Sequence, residues 1–290
     1  MLLSTQTHIA VERLGLFEGV RLLMDAGYPA LDLTMFANME QHILAPDMKS
    51  VALRLRELAD SRGVVFNQAH APFGGGYENY TQNLVPLMPR VFEFASYLGV
   101  RQVVVHPLKY GRYYGNESEL FELNRSFYAS LAPLSEQWGV KIAIENMWQR
   151  HPVTGKICDD VCAPPEELCA YYDAQGRPDL FTVCLDLGHV TICGREPENA
   201  IRTIGHSRLG ALHVHDTDYI NDSHTLPGMG KTNWDAVCKA LAEVDYKGEF
   251  TLEADEFLRN YDNAFLPTAA KFMCDCGKQL VSKIEEYKKR

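Results

Sequence analysis

The sequence predicts an α/β fold, a single-domain (β/α)8 TIM barrel spanning residues 1–290, from three observations. Eight short apolar runs recur along the chain, amphipathic stretches separate them, and acids and histidines gather at their carboxyl ends. The runs are Leu2–Thr7, Ala30–Thr34, Val64–Ala69, Gln102–His106, Lys141–Glu145, Thr182–Asp186, Ala211–His215 and Phe250–Ala254. Val103-Val104-Val105 and Ile142-Ala143-Ile144 are nearly unbroken apolar segments, as expected of parallel strands covered on both faces. Leu98-Gly99-Val100, Trp138-Gly139-Val140 and Tyr246-Lys247-Gly248 each place a glycine where the preceding helix should stop. One barrel of roughly 250 residues nearly fills the chain. An open doubly wound sheet is the alternative, but no GxGxxG follows the first run. No linker or low-complexity stretch divides the sequence, so one domain is expected.

Composition narrows the function. The formal net charge is −10, and the one basic concentration is the tail Lys283 to Arg290, which Glu285 and Glu286 dilute. That tail reads as the solvated end of a last helix, and a grip on nucleic acid through phosphates is disfavoured. The first residues, Met1 to His8, lack the length and basic flank of a signal peptide, and no window holds the roughly 18 apolar residues of a membrane span. A cytoplasmic location is therefore expected. Eight cysteines in such a chain should stay reduced, and without a CxxC pair a thiolate zinc site is not expected.

In parallel barrels the chemistry collects at the carboxyl ends of the strands. Here His8 follows the first run and His70 the third. His106 ends the fourth, Glu145-Asn146 the fifth, and Asp186-Leu187-Gly188-His189 the sixth. His213-Val214-His215-Asp216 ends the seventh, and Glu253 and Asp255 the eighth. Carboxylates converging in one cavity repel each other unless a cation sits among them. Mixed carboxylate and imidazole ligands suit zinc, manganese, cobalt or iron, whereas an all-oxygen site would suit magnesium or calcium. His213 and His215 share a strand face, so either serves as the seventh-run ligand on this argument. Asp216 and Asp218 read equally well as turn or cap residues.

Several motifs carry a resemblance. Ile144-Glu145-Asn146, Cys184-Leu185-Asp186-Leu187-Gly188-His189, His213-Val214-His215-Asp216, Leu226-Pro227-Gly228-Met229-Gly230 through Trp234, and Thr251-Leu252-Glu253 occur in this order. Together they resemble the xylose isomerase-like barrel superfamily over nearly the whole chain. That group includes sugar phosphate isomerases/epimerases, ketose 3-epimerases, inosose-processing enzymes and endonuclease IV. The resemblance implies one divalent metal (manganese, zinc, cobalt or magnesium) held by Glu145, Asp186, His213 and Glu253, with His189 contacting substrate. His213 is preferred to His215 because it opens an H-x-x-D pattern closed by Asp216. Endonuclease IV uses further ligands, and His70, His106, His189, Asp222 and His224 occupy positions resembling them. A trinuclear zinc site cleaving phosphodiesters is thus the alternative.

The preferred reading is a metal-dependent isomerase or epimerase of a small sugar or sugar phosphate, because Met147-Trp148-Gln149-Arg150-His151 looks more like the sugar enzymes. Glu145 and Glu253 would act as paired bases around an enediolate, with His189 steadying an alkoxide or relaying a proton. The substrate-facing candidates are His8, His70, His106, Trp148, Arg150, His215 and Lys231. Tyr110, Tyr113 and Tyr114 form an aromatic run that would line the mouth or cover a subunit contact. Related sugar dehydratases and lyases share the proton abstraction. Neither membrane nor nucleic acid is expected as a partner; a homo-oligomer is compatible with the sequence.

Overall fold

The computed structural model describes residues 1–36 and 39–289; Ala37, Asn38 and Arg290 lie outside the described residues. The strands are β1 (Leu3–Thr5), β2 (Ala30–Thr34), β3 (Val65–His70), β4 (Gln102–Val105), β5 (Lys141–Glu145), β6 (Trp148–Arg150), β7 (Ile157–Asp159), β8 (Phe181–Asp186), β9 (Leu209–His213) and β10 (Phe250–Leu252). β2, β3, β4, β5, β8 and β9 form a six-stranded parallel sheet in that order, and β1 pairs in parallel with β10. Parallel bridges Gln6–Asp32 and Val214–Leu252 join the two pieces into one closed ring. Each of the eight staves overlaps one of the eight apolar runs, though β1, β4 and β10 are shorter than their runs and β9 begins two residues before its run and stops at His213. β6 and β7 are an antiparallel hairpin that the apolar pattern did not reveal, hung on the carboxyl end of β5.

Alternation along the staves builds the site. Val104, Ala143, Cys184 and Ala211 form a small apolar layer of their own, separate from the main core between strands and helices. Two residues further along the same staves come His106, Glu145, Asp186 and His213, which share the inward face by the period of two. Small side chains in the lower layer floor the barrel, and large polar ones above it converge. The same alternation turns Gln68 and His70 of β3 inward, and Thr251 and Glu253 at β10.

Two of the glycine expectations hold. Gly99 (φ 89°) and Gly139 (φ 64°) end the helices Met88–Leu98 and Glu117–Trp138 in the left-handed region. Gly248 is different: the helix before it already stops at Glu243, and a Cβ at Gly248 would lie 2.2 Å from Tyr246 Oη. Close packing, not capping, requires that glycine. The basic tail also departs from expectation. In the last helix, Leu266–Tyr287, Lys283 pairs with Asp235 at 2.6 Å, and just beyond it Lys288 donates to the Tyr246 carbonyl, so the helix end is docked. All eight cysteines are free. Among the described residues no helix is long and apolar enough to cross a membrane.

The helices His8–Leu14 and Leu16–Asp25 meet so closely at Gly19 that a Cβ there would lie 2.5 Å from the Ala10 carbonyl carbon and oxygen. Backbone cannot give way as a side chain can. Gly19→Ala should therefore destabilise the chain by about 1–3 kcal/mol, the cost of overpacking. Urea unfolding should show a lower midpoint at unchanged slope; an unshifted midpoint would refute the close approach.

Candidate metal centre

Glu145 lies at the middle of the barrel mouth, buried, and its two oxygens face different groups. Oε1 is 2.7 Å from His213 Nδ1. Oε2 is 2.9 Å from His106 Nε2 and 3.6 Å from His70 Nε2. His213 Nδ1 also approaches Glu253 Oε2 at 3.2 Å, and Gln6 Nε2 holds the other Glu253 oxygen at 2.6 Å. Asp186 links this group to the loop side. Its Oδ1 accepts the His189 N–H at 2.7 Å and lies 3.1 Å from His215 Nε2, while Oδ2 is 3.9 Å from His189 Nε2. Beyond it, Asp222 lies 3.7 Å from His189 Nε2 and 3.3 Å from His224 Nε2.

Among the described residues several overlapping sets of potential ligand atoms lie side by side, including Glu145, Asp186, His213 and Glu253; His70, His106 and Glu145; and His189, His215, Asp222 and His224. Within each set the atoms fall within 4.8 Å of one another. Asp186 Oδ2, Glu253 Oε2, Asp222 Oδ1 and both ring nitrogens of His215 are buried without a hydrogen bond. Buried polar atoms are rarely left so, and a cluster of them needs a missing partner. A divalent cation fits, because it neutralises the converging carboxylates and accepts the imidazole lone pairs together.

The histidines are oriented by their far nitrogens. Nδ1 of His70, His189 and His224 meets the carbonyls of Ala71, Asn146 and Glu253 at 2.9, 2.8 and 2.9 Å, which aims each Nε2 at the carboxylates. Asn146 clamps the ends of β5 and β8, donating to the Asp186 carbonyl and accepting the Asp186 N–H. Gly188 leaves room for His215, whose ring would lie 1.9 Å from a Cβ there. Asp216 organises the following loop, accepting from Thr217, Gly228 and Thr232 N–H groups and from Trp234 Nε1. The H-x-x-D pattern therefore joins a metal-facing imidazole to the carboxylate that shapes the loop carrying Asp222 and His224.

The electrostatics follow from this packing. Burial alone would raise the Glu145 carboxyl, but the facing imidazoles of His213 and His106 hold it well below its usual range. Burial dominates at His106 and pushes it down to about 4, against the opposing pull of Glu145. At His189 burial is outweighed by Asp186 and Asp222, which push the imidazole up to about 10.

The sequence profile described as xylose isomerase-like TIM barrel matches residues 20–273. The chain belongs to this family. It is similar to the uncharacterized protein MJ1311 of Methanocaldococcus jannaschii, 27% identical over 220 residues covering 73% of this chain and 71% of that one. A probable endonuclease 4 of Exiguobacterium sibiricum is 28% identical over 210 residues, 64% of either chain. Among solved structures, a D-tagatose 3-epimerase-like protein superposes with a TM-score of 0.76 at 21% identity, covering 99% of both chains. The IOLI protein with a bound zinc atom superposes with a TM-score of 0.74 at 19% identity, also over 99% of both. At such identities these likenesses bear on the family fold alone.

Most of the residues expected at the site converge, but not all in the expected role. The cavity above the centre, about 330 Å³, is lined by Phe73, Tyr77, His106, Trp148, His189, Glu145 and Glu253 among others. His70 and His215 lie behind that wall, within the ligand sets, rather than facing a substrate. Arg150 lies over the Trp148 ring at 5.6 Å and donates to the Gly155 carbonyl along the hairpin, off the cavity. Lys231 is exposed on the loop after β9, its N–H held by the Thr217 carbonyl. His8 is turned toward Glu12 at 3.4 Å and packs on Phe36, outside the lining. Of the aromatic run, Tyr113 is buried against Glu167, while Tyr110 packs on Tyr77 at the rim. Sequence reasoning missed Lys109, Phe73 and Tyr77. Only the loops after β3 and β4 bring them in, and no spacing signal marks them.

Metal binding at the loop-side set must displace the proton that His189 holds below about pH 10. Affinity there should accordingly rise with pH from 6 to 9, by up to about tenfold per unit for that one proton. Chelator competition at several pH values would read this; a flat profile would contradict it. Gly188→Ala should displace His215 and weaken the same set without unfolding the barrel, seen as a lost metal equivalent at unchanged circular dichroism.

Proposed function

We propose that this chain is a multinuclear metal-dependent hydrolase acting on a phosphate ester of a sugar-sized substrate. One observation carries the reading: the two oxygens of Glu145 address two separate groups of imidazoles, as a bridging carboxylate does and a free general base does not. Asp186, counted in the central set, turns both of its oxygens toward loop-side imidazoles, Oδ1 to His215 and Oδ2 to His189, and so joins the two sets. The central ion would be held by Glu145, Asp186, His213 and Glu253, a second by His70, His106 and Glu145, and a third by His189, Asp222 and His224 beside His215. Mixed imidazole and carboxylate donors favour zinc. When bound, such ions supply Lewis acidity that stabilises charge on phosphoryl oxygens. The likeness to a probable endonuclease 4 supports this reading.

The protein's own part is to shape the space above the centre. Phe73, Tyr77 and Trp148 wall the cavity with flat apolar surface that a sugar ring can pack on. Trp148 Nε1 donates to Asp222 at 3.0 Å, so the wall also fixes a ligand. Among the described residues the Lys or Arg side chain lining the cavity is Lys109, held by Asp160 at 3.0 Å. With a net charge of −10 this is little for tracking a long polyanion, which favours a small phosphate ester.

The sugar isomerase/epimerase reading is the second. Its support is that Glu145 and Glu253 both line the cavity, where paired bases would flank an enediolate. Against it, His106 and His70 crowd the Glu145 oxygen that would take the proton.

Elemental analysis should find about three metal ions per chain, as three ligand sets imply. Hydrolysis should appear in a panel of sugar phosphates, p-nitrophenyl phosphates and abasic-site DNA. Glu145→Gln should reduce it on the order of 10²–10³-fold, the scale of losing one charge-stabilising group. One ion per chain, with solvent deuterium entering a ketose instead, would overturn the hydrolase in favour of the epimerase.

A further inference from the structure

We propose that Asp32 is a positioning residue for His213, fixing the tautomer that presents Nδ1 rather than Nε2 to the central metal. The inference rests on the metal reading above. Three histidines of the centre turn Nδ1 to a backbone carbonyl and Nε2 to the carboxylates. His213 is the reverse. Its Nδ1 faces Glu145 and Glu253 at 2.7 and 3.2 Å, and its Nε2 points down into the barrel. Among the described residues no carbonyl receives that nitrogen; Asp32 Oδ2 lies 3.4 Å away.

Asp32 is fully buried, with Oδ1 unpartnered and no Lys or Arg paired to it among the described residues. An anion so placed is costly unless a donor or cation faces it. Its Oδ2 is held by Gln68 Nε2 at 2.9 Å, which leaves the carboxylate pointed at His213. The backbone is arranged for this. The β2–β3 register slips between Leu31 and Asp32, so that Asp32 pairs with Gln68 and both side chains turn to the interior. With Nδ1 engaged by a cation, Nε2 must carry the proton, and Asp32 is the acceptor within reach. A proton on Nε2 shared with Asp32 would hold the ring against flipping. A carboxylate behind an imidazole also raises its basicity toward the metal. The layer Gln68–Asp32–His213 thus runs from the barrel interior to the ion, and neither Gln68 nor Asp32 reaches the cavity.

The test uses the full-length chain, zinc or cobalt as the probe, and the variants Asp32→Asn, Asp32→Ala and Gln68→Met. Asparagine keeps an acceptor oxygen for Gln68 and His213 but loses the charge. Zinc affinity of the central site should fall about tenfold in Asp32→Asn and about a hundredfold in Asp32→Ala, the range for removing such a partner, with Gln68→Met between wild type and Asp32→Asn. The visible spectrum of the cobalt protein should change in the same order, and long-range ¹⁵N correlations should place the wild-type His213 proton on Nε2. Binding at the His189, Asp222 and His224 set should stay as in wild type. Equal central-site affinities in all four proteins, a proton on Nδ1, or an equal loss at every site would overturn the assignment of Asp32. If Asp32→Ala does not fold, the isosteric Asp32→Asn decides. A wild-type chain that binds no metal would instead sink the metal reading itself, which keeps the two failures apart.

Discussion

The organising constraint is electrostatic: four carboxylates and several imidazoles are driven into one apolar-floored mouth where water cannot screen them. Glu145, Asp186, Asp222 and Glu253 would repel one another there if no positive charge stood between them. The facing carboxylates of Asp186 and Asp222 push the His189 imidazole up, and the facing imidazoles hold the Glu145 carboxyl down. A cation at this place would compete with the imidazole protons, and the buried polar atoms left without hydrogen bonds lie where it would sit.

Around that centre the fold invests in orientation. Backbone carbonyls of Ala71, Asn146 and Glu253 set three imidazoles, Gln6 sets Glu253, and Asn146 ties the tips of two neighbouring staves. The hairpin of β6 and β7 adds a wall: Trp148 closes the cavity, fixes Asp222 and is itself flanked by Lys109 and Arg150. Arg150, which invites reading as a substrate clamp, serves as a prop for that wall. Trp148 thus acts twice, once in shaping the space and once in holding the Asp222 carboxylate.

Much of this was legible beforehand. Parallel staves covered on both faces must be apolar over their whole length, so the eight runs and their order stand out in the sequence. The glycines at 99 and 139 announce helix ends because few other residues tolerate their φ. Glu145 and Asp186 close their runs and His213 and Glu253 stand near the ends of theirs, which places all four at the mouth; the choice of His213 over His215 came only from the resemblance. His70 and His215 were each read two ways, as substrate-facing groups and as possible ligands, and the strand ends did not separate the two. A strand end says which rim a side chain reaches, not whether it points at substrate or at a neighbour's carboxylate.

What the chain determines by itself is periodicity: where staves begin, which residues alternate inward, and hence which polar groups stand together at the rim. That information is local, written in spacings of two residues within strands and in the glycines that end helices. Only the tertiary structure decides how the two oxygens of Glu145 are shared, that Asp32 stands behind His213, and that Lys231 and His8 stay outside the cavity. Those outcomes depend on barrel closure, a register slip and the packing of loops far apart in sequence, where separations of an ångström decide which groups meet.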